Sequence, residues 1–167
     1  MLSRFKRLKK VISIDILAAS YLMPRKIRCY IYKTFGMQIK SNKIASKCYF
    51  ASKNITIGHN VFINHSCCFH NPTSPITIGD NTWVAMHVLF CTSTHEIGTS
   101  ECRAGKILAK PIEIGKGCWI GANSTILPGV VIGDGCIIGA GAVVNMNCEP
   151  NGLYVGVPAK RMKDLDS

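Results

Sequence analysis

The side chains of this sequence that could do chemistry are five histidines and nine cysteines. A neutral imidazole is suited to take a proton from a weak nucleophile near neutral pH. A thiol can attack, hold a metal or pair as a disulfide. Cys29, Cys48, Cys67, Cys68, Cys91, Cys102, Cys118, Cys136 and Cys148 contain no CxxC pair and no small secreted framework. Free, buried thiols in a reducing cytoplasm fit that spacing better than disulfides or a metal site. His59, His65, His70 and His87 are scattered and are expected as surface residues. His95 stands apart, because it opens a long polar stretch, about Glu96 to Ala109, and an imidazole at such a break is a candidate for function.

A repeat must position that histidine. Aliphatic residues followed by glycine mark a six-residue period in the body: after Ile78-Gly79 the pairs Ile114-Gly115, Ile120-Gly121, Ile132-Gly133 and Ile138-Gly139 fall at multiples of six, and Ile57-Gly58 stands 21 residues before Ile78-Gly79. Ile63, Val84, Phe90, Ile126 and Val144 fill the steps between, and a weaker continuation runs back through Ala51, Ala45 and Ile39. Four positions after the aliphatic comes a small or β-branched residue: Val61, Cys67, Thr82, Val88, Thr94, Cys118, Ser124, Val130, Cys136, Ala142 and Cys148. A helix of 3.6 residues per turn cannot generate a strict six-residue period. A short strand and a corner can, with Gly, Asn or Asp supplying the permissive backbone. Three hexads close one triangular coil of 18 residues, the spacing of Ile114 and Ile132. Coils stacked about 4.8 Å apart let each strand pair with its copy above. The predicted class is all-β, a triangular parallel β-helix over residues 39–150 with about five coils, roughly 24 Å tall.

The repeat breaks twice. Between Phe69 and Ile78 there are nine residues instead of six, among them Asn71, Pro72 and Pro75. Between Phe90 and Ile114 there are 24, and the surplus at 96–109, with Gly98 and Gly105, is predicted to leave the prism as an extruded loop. Loops of that length in compact domains are usually functional.

Residues 1–38 lack the hexad and form an N-terminal unit, and residues 151–167 a C-terminal segment. Phe5, Leu8, Ile12, Ile16 and Ala19 read as one face of an amphipathic helix covering the open end of the first coil. Arg4, Lys6, Arg7, Lys9 and Lys10 give the same helix a basic side, so residues 4–16 also suit a peripheral contact with an anionic membrane. The formal charge of +11 is concentrated there: residues 1–40 hold ten Lys or Arg against Asp15 alone, and residues 41–167 hold ten against eight acidic residues. The nearly neutral body has no zinc-finger spacing or basic stripe, which excludes nucleic acid as a partner. The apolar run Val11–Met23 is interrupted by Asp15 and falls short of the ~20 residues that span a bilayer. Asp15 and the thiol-rich body also argue against a secretory signal, leaving a cytoplasmic protein, at most peripheral at the inner face of the membrane.

The hexads occur together with Thr94-His95-Glu96, then Pro111-Ile112-Glu113-Ile114-Gly115-Lys116-Gly117-Cys118-Trp119-Ile120-Gly121, then Gly156-Val157-Pro158-Ala159-Lys160. That ordered set resembles the left-handed β-helix, hexapeptide-repeat acyltransferases, in the branch of galactoside, maltose, xenobiotic and polysaccharide O-acetyltransferases. The resemblance covers about residues 39–163. It implies a homotrimer of prisms with acetyl-coenzyme A in a groove between neighbours, no metal, and His95 as the catalytic base. It places an oxyanion-binding backbone N–H at Ala122, next to Gly121, and coenzyme contacts at Trp119, Ala140, Lys160 and Lys163. Asn64 matches an asparagine beside the acceptor, and Asn71 falls near an acidic residue that contacts the acceptor sugar. Two departures stand out: the amide of Asn71 replaces a carboxylate, and Asn145-Met146 replaces a frequent Thr-Lys pair. His65-x4-His70 is similar to part of the zinc site of γ-class carbonic anhydrases, but the order of ligands does not fit.

The expected activity is acetyl-coenzyme A-dependent O-acetylation of a saccharide hydroxyl in bacterial surface-polysaccharide synthesis. The alternatives are a xenobiotic acetyltransferase of the same fold and a non-catalytic β-helix scaffold. Thirty-eight residues before the repeat are too few for the large helical domain of a serine acetyltransferase.

Overall fold

The computed structural model describes Leu8 and residues 10–166. Arg4, Phe5, Lys6, Arg7 and Lys9 lie outside the described residues. Two helical segments, α1 (Val11–Ala18, wound in the wide π form) and α2 (Arg25–Thr34), precede five coils of short strands. The first coil holds β1 (Gln38–Ile39), β2 (Lys43–Ile44) and β3 (Tyr49–Phe50). The second holds β4 (Ile55–Ile57), β5 (Phe62–Ile63) and β6 (Cys68–His70), and the third β7 (Ile76–Ile78), β8 (Trp83–Val84) and β9 (Leu89–Cys91). An arm of β10 (Ser93–Ile97) and β11 (Ala104–Ala109) interrupts the winding. The fourth coil is β12 (Ile112–Ile114), β13 (Trp119–Ile120) and β14 (Thr125–Ile126), and the fifth β15 (Val131–Ile132), β16 (Ile137–Ile138) and β17 (Val143–Val144). A hairpin of β18 (Gly152–Val155) and β19 (Lys160–Asp164) follows.

Corresponding strands of successive coils stack in parallel register, giving three prism faces ordered β1-β4-β7-β12-β15, β2-β5-β8-β13-β16-β18, and β3-β6-β9-β14-β17, and β19 extends the second face antiparallel to β18. The hairpin after residue 150 is thus continuous with the second face. The large inward side chains stack coil on coil: Ile57, Ile78, Ile114 and Ile132 on the first face, and Phe50, Phe69 and Phe90 on the third. Those three rings lie 4.8 and 4.9 Å apart and within 6° of parallel, because the strand spacing itself sets the ring spacing. The small inward positions are buried as expected, with Cys67, Cys118, Cys136 and Cys148 among them. All nine cysteines are free thiols.

Four expectations change. In the first coil Ile44 pairs with Ile63 and Phe50 with Phe69, so these, not Ala45 and Ala51, occupy the large inward positions. Steps of five, six and seven residues still total one coil, and the shift puts larger apolar side chains under the cap. Thr94 is exposed, because the chain has left the prism by then. The surplus read as a loop at 96–109 is instead a two-stranded antiparallel arm over Ser93–Ala109. Finally, Ile14 and Ala18 of α1 face the core while Leu8, Ile12 and Ile16 are exposed. Ile14 and Ala18 are four residues apart, as are Leu8, Ile12 and Ile16, so two apolar stripes compete and the former pair is the one that packs.

The closure of the open end rests more on α2 than on α1. Tyr32 of α2 meets the Phe50 ring edge-on at 4.9 Å, extending the aromatic stack into the cap. Arg28, 2% exposed, donates to the carbonyls of Ala18 (2.6 Å), Ser20 (2.7 Å), Met23 (2.9 Å) and Ile44 (2.9 Å). A buried guanidinium satisfied by four carbonyls ties both helical segments to the first coil.

Candidate active site

The arm leaves the prism where the third face ends. Ser93 pairs with Ala109, Thr94 with Leu108 and His95 with Ile107, and the register slips between His95 and Ile97. At the slip, Nδ1 of His95 lies 2.8 Å from the carbonyl oxygen of Gly105. A carbonyl can only accept, so Nδ1 carries the hydrogen and Nε2 presents its lone pair. The close approach needs glycine: a Cβ on Gly105 would lie 2.8 Å from the carbonyl oxygen of Glu96. His95 is exposed, as are Ile97 (90%), Ile107 and Leu108, so the arm carries its imidazole on an uncovered, partly apolar ribbon. At the root of the arm, Nδ1 of His70 lies 3.3 Å from Oγ of Ser93 and 3.8 Å from Sγ of Cys91.

A second group of residues gathers around the corner between the second and third faces. Asn64, Gly121 and Ala140 sit at that corner on the second, fourth and fifth coils. Oδ1 of Asn64 accepts from the backbone N–H of His65 at 2.8 Å. Gly121 allows the coils to close, since a Cβ there would lie 2.6 Å from the nitrogen of Ala140. At another prism edge the matching N–H groups are taken by carboxylates, His59 N–H by Asp80 and Lys116 N–H by Asp134, both at 2.7 Å. The N–H groups of Ala122 and Ala140 have no acceptor among the described residues. Two open donors on adjacent coils suit an anionic or carbonyl oxygen.

The outward side of the second face supplies the rest. Phe62, Trp83, Trp119, Ile137 and Leu153 form one register column that ends at Lys163, and Lys160 pairs with Val155 beside it. Trp83 and Trp119 are more than half exposed. The outward side of this face is therefore largely apolar along that column. Arg161 is committed to Asp164, Tyr154, Glu149 and Pro150. Lys160 and Lys163, both exposed, form no ion pair with the described residues and remain the available cations.

Asn71 does not join either group. It is fully buried, its amide donates to the Asn54 carbonyl (2.8 Å), and its Oδ1 accepts from the Ser52 N–H (3.2 Å). Both ends of the side chain serve to stitch the widened corner, so it cannot touch an acceptor. His65 packs edge-on against His87 at 5.3 Å, at the other end of β6 from His70. No cluster of three metal-binding side chains occurs among the described residues.

Two contributors escape the sequence reading. Trp83 lies 36 residues before Trp119, two coil lengths by hexad counting, and that spacing is the signal that could have found it. The Gly105 carbonyl has no side-chain signature.

His95 and the Ala122 corner stand at opposite edges of the third face: Asn64 precedes β6, and the arm departs after β9. This fold and site define a class: parallel β-helices that carry an exposed imidazole on an arm and open backbone donors at a corner. A family model described as bacterial transferase hexapeptide (six repeats) matches residues 111–145. The solved structure of a maltose O-acetyltransferase from Clostridium difficile is similar to 98% of this chain and 88% of its own, with TM-score 0.86 and 30% identity. A hexapeptide-repeat acetyltransferase from Vibrio cholerae, solved with acetyl-coenzyme A, matches over 99% and 91% with TM-score 0.79 and 26% identity. Galactoside O-acetyltransferase from Escherichia coli is 34% identical over 113 residues, 68% of this chain and 55% of that protein. The matched stretch spans about half the length of the curated relatives. The chain belongs to the hexapeptide-repeat acyltransferases, with the left-handed β-helix as its fold.

Proposed function

We propose that this protein transfers an acetyl group from acetyl-coenzyme A to a saccharide hydroxyl, in a cyclic homotrimer whose sites lie between neighbouring chains. The observation that carries the reading is the 2.8 Å bond from His95 Nδ1 to the Gly105 carbonyl, which leaves Nε2 as a base on a projecting arm. His95 Nε2 takes the hydroxyl proton as the oxygen attacks the thioester carbonyl. The Ala122 N–H donates to the oxyanion that forms. When the carbon–sulfur bond breaks, the imidazolium returns its proton to the departing thiolate, so the base is regenerated. Trp119 offers an apolar wall for the pantetheine arm, the Ala140 N–H a donor to its amides, and Lys160 and Lys163 charge for its phosphates. Asn64 Nδ2 is placed to orient the acceptor.

The trimer is supported by geometry: His95 and the coenzyme residues occupy different edges of one prism, while the arm and the Trp83–Trp119 column expose apolar surface that a neighbour would cover. The maltose and galactoside activities of the relatives support a sugar acceptor. Surface-polysaccharide synthesis in the cytoplasm, at the inner face of the membrane, is the setting we assign to it. The test is thiol release from acetyl-coenzyme A against a panel of free sugars, nucleotide sugars and oligosaccharides. No release with any saccharide would reject the reading.

A further inference from the structure

The cap has two sides, and the prism uses one. Ile14 and Ala18 are buried, whereas Leu8, Ile12, Ile16, Leu17, Tyr21 and Leu22 are exposed. Leu22 is 93% exposed and Ile16 59%. No other part of the described chain exposes so many large aliphatic side chains in so short a stretch. Such a surface on a folded protein marks an interaction site.

Charge identifies the occupant. Lys26 and Lys33 of α2 are exposed, Nζ of Lys47 lies 4.7 Å from the centre of the Tyr21 ring, and the Arg25 guanidinium turns to the Phe62 ring on the second face, 5.7 Å from its centre. Asp15 is the one acidic residue in the first forty, and Lys10 already neutralises it at 3.5 Å. A second copy of the same end would bring like charges together. Nucleic acid would satisfy the cations and leave the aliphatic side chains in water. An anionic bilayer satisfies both, taking apolar side chains at the acyl boundary and cations among its headgroups. We propose that the first-coil end docks on an anionic lipid bilayer, with Ile16, Leu17 and Leu22 inserted and Lys26 and Lys47 at the headgroups. Tyr21 sits at the level where a ring with one polar end is favoured. No described helix is long and apolar enough to cross a membrane, so the contact is peripheral. The docking is independent of acyl transfer and stands or falls on its own test.

Co-sedimentation with vesicles of phosphatidylcholine, with and without phosphatidylglycerol, tests it. The protein should pellet with the anionic vesicles at low salt, stay in solution with phosphatidylcholine alone, and detach as salt rises. The double variant Ile16→Glu/Leu22→Glu should lose at least roughly tenfold in vesicle affinity at an unchanged melting temperature. The double variant Lys26→Gln/Lys47→Gln should lose affinity severalfold and show a shallower salt dependence, and it decides the matter alone if the first variant does not fold. Failure to pellet with anionic vesicles, equal binding to neutral ones, or undiminished affinity in the folded variants would each overturn the proposal. So would a lipid-free wild-type assembly that is larger in sedimentation than the Ile16→Glu/Leu22→Glu form, because the face would then be a joint between copies.

Discussion

An imidazole serves as a base through one nitrogen only, and in this chain a backbone carbonyl selects which. His95→Ala should lower turnover 10²- to 10⁴-fold, the usual range for a general base, with coenzyme A binding intact by calorimetry. Retention of half the wild-type rate would remove His95 from the mechanism. Gly105→Ala probes the same bond without touching the imidazole. Its Cβ would lie 2.8 Å from the Glu96 oxygen, so the strands must part and the His95 tether lengthens. The rate should fall at least about tenfold while the melting temperature stays put, since the arm stands outside the prism. His95 is legible in the sequence because the hexad count fails just where it stands. Its tether is not, because a carbonyl oxygen belongs to every residue and only the arm's register brings Gly105 to it. Asn71 misleads for a related reason: its type suits a sugar, and only the fold shows both ends of its amide already in use.

At the scale of the elements, the coils are legible in detail because a strict inward period leaves no other face to bury. In the first coil the hexad count runs one residue late, at Ala45 and Ala51. There the corner lengths vary, and the cap above it, built on Tyr32 and Arg28, has no periodicity from which to place it. Two consequences can be measured. Asn71→Ala removes two hydrogen bonds from a sealed corner and should cost about 1–3 kcal/mol by urea unfolding, with the activity of the folded protein unchanged. A fall in activity without a fall in stability would return Asn71 to the acceptor site. The thiol ladder sets an alkaline limit. Burial pushes Cys118 up to about 11 and Cys148 up to about 12, because the thiolate is penalised in the core. The unfolded chain releases these protons near 9, so stability is complete below that pH and is lost as pH rises toward 11 to 12. The urea midpoint should fall across that window, and less steeply in Cys118→Ala. A midpoint independent of pH there would contradict the burial of these thiols.

The whole molecule poses the question of which chain completes which site. In one prism His95 leaves from the far edge of the third face, while Ala122, Ala140 and Trp119 gather at the near edge. If the base works on the corner of a neighbour, two differently damaged chains can rescue each other. One chain would carry His95→Ala. The other would carry Trp119→Ala with Lys160→Glu, both at exposed positions where the fold does not depend on them. Each form assembled alone should be nearly inactive. Co-expressed in equal amounts, they should form rings in which about one interface in four joins an intact His95 to an intact coenzyme face. Activity should then recover to roughly a quarter of wild type, far above either parent. Sites built within single chains would give no recovery, because every chain in the mixture carries one lesion. A monomer in sedimentation with full activity would exclude the shared site more directly, since a single prism would then have to bring its two edges together.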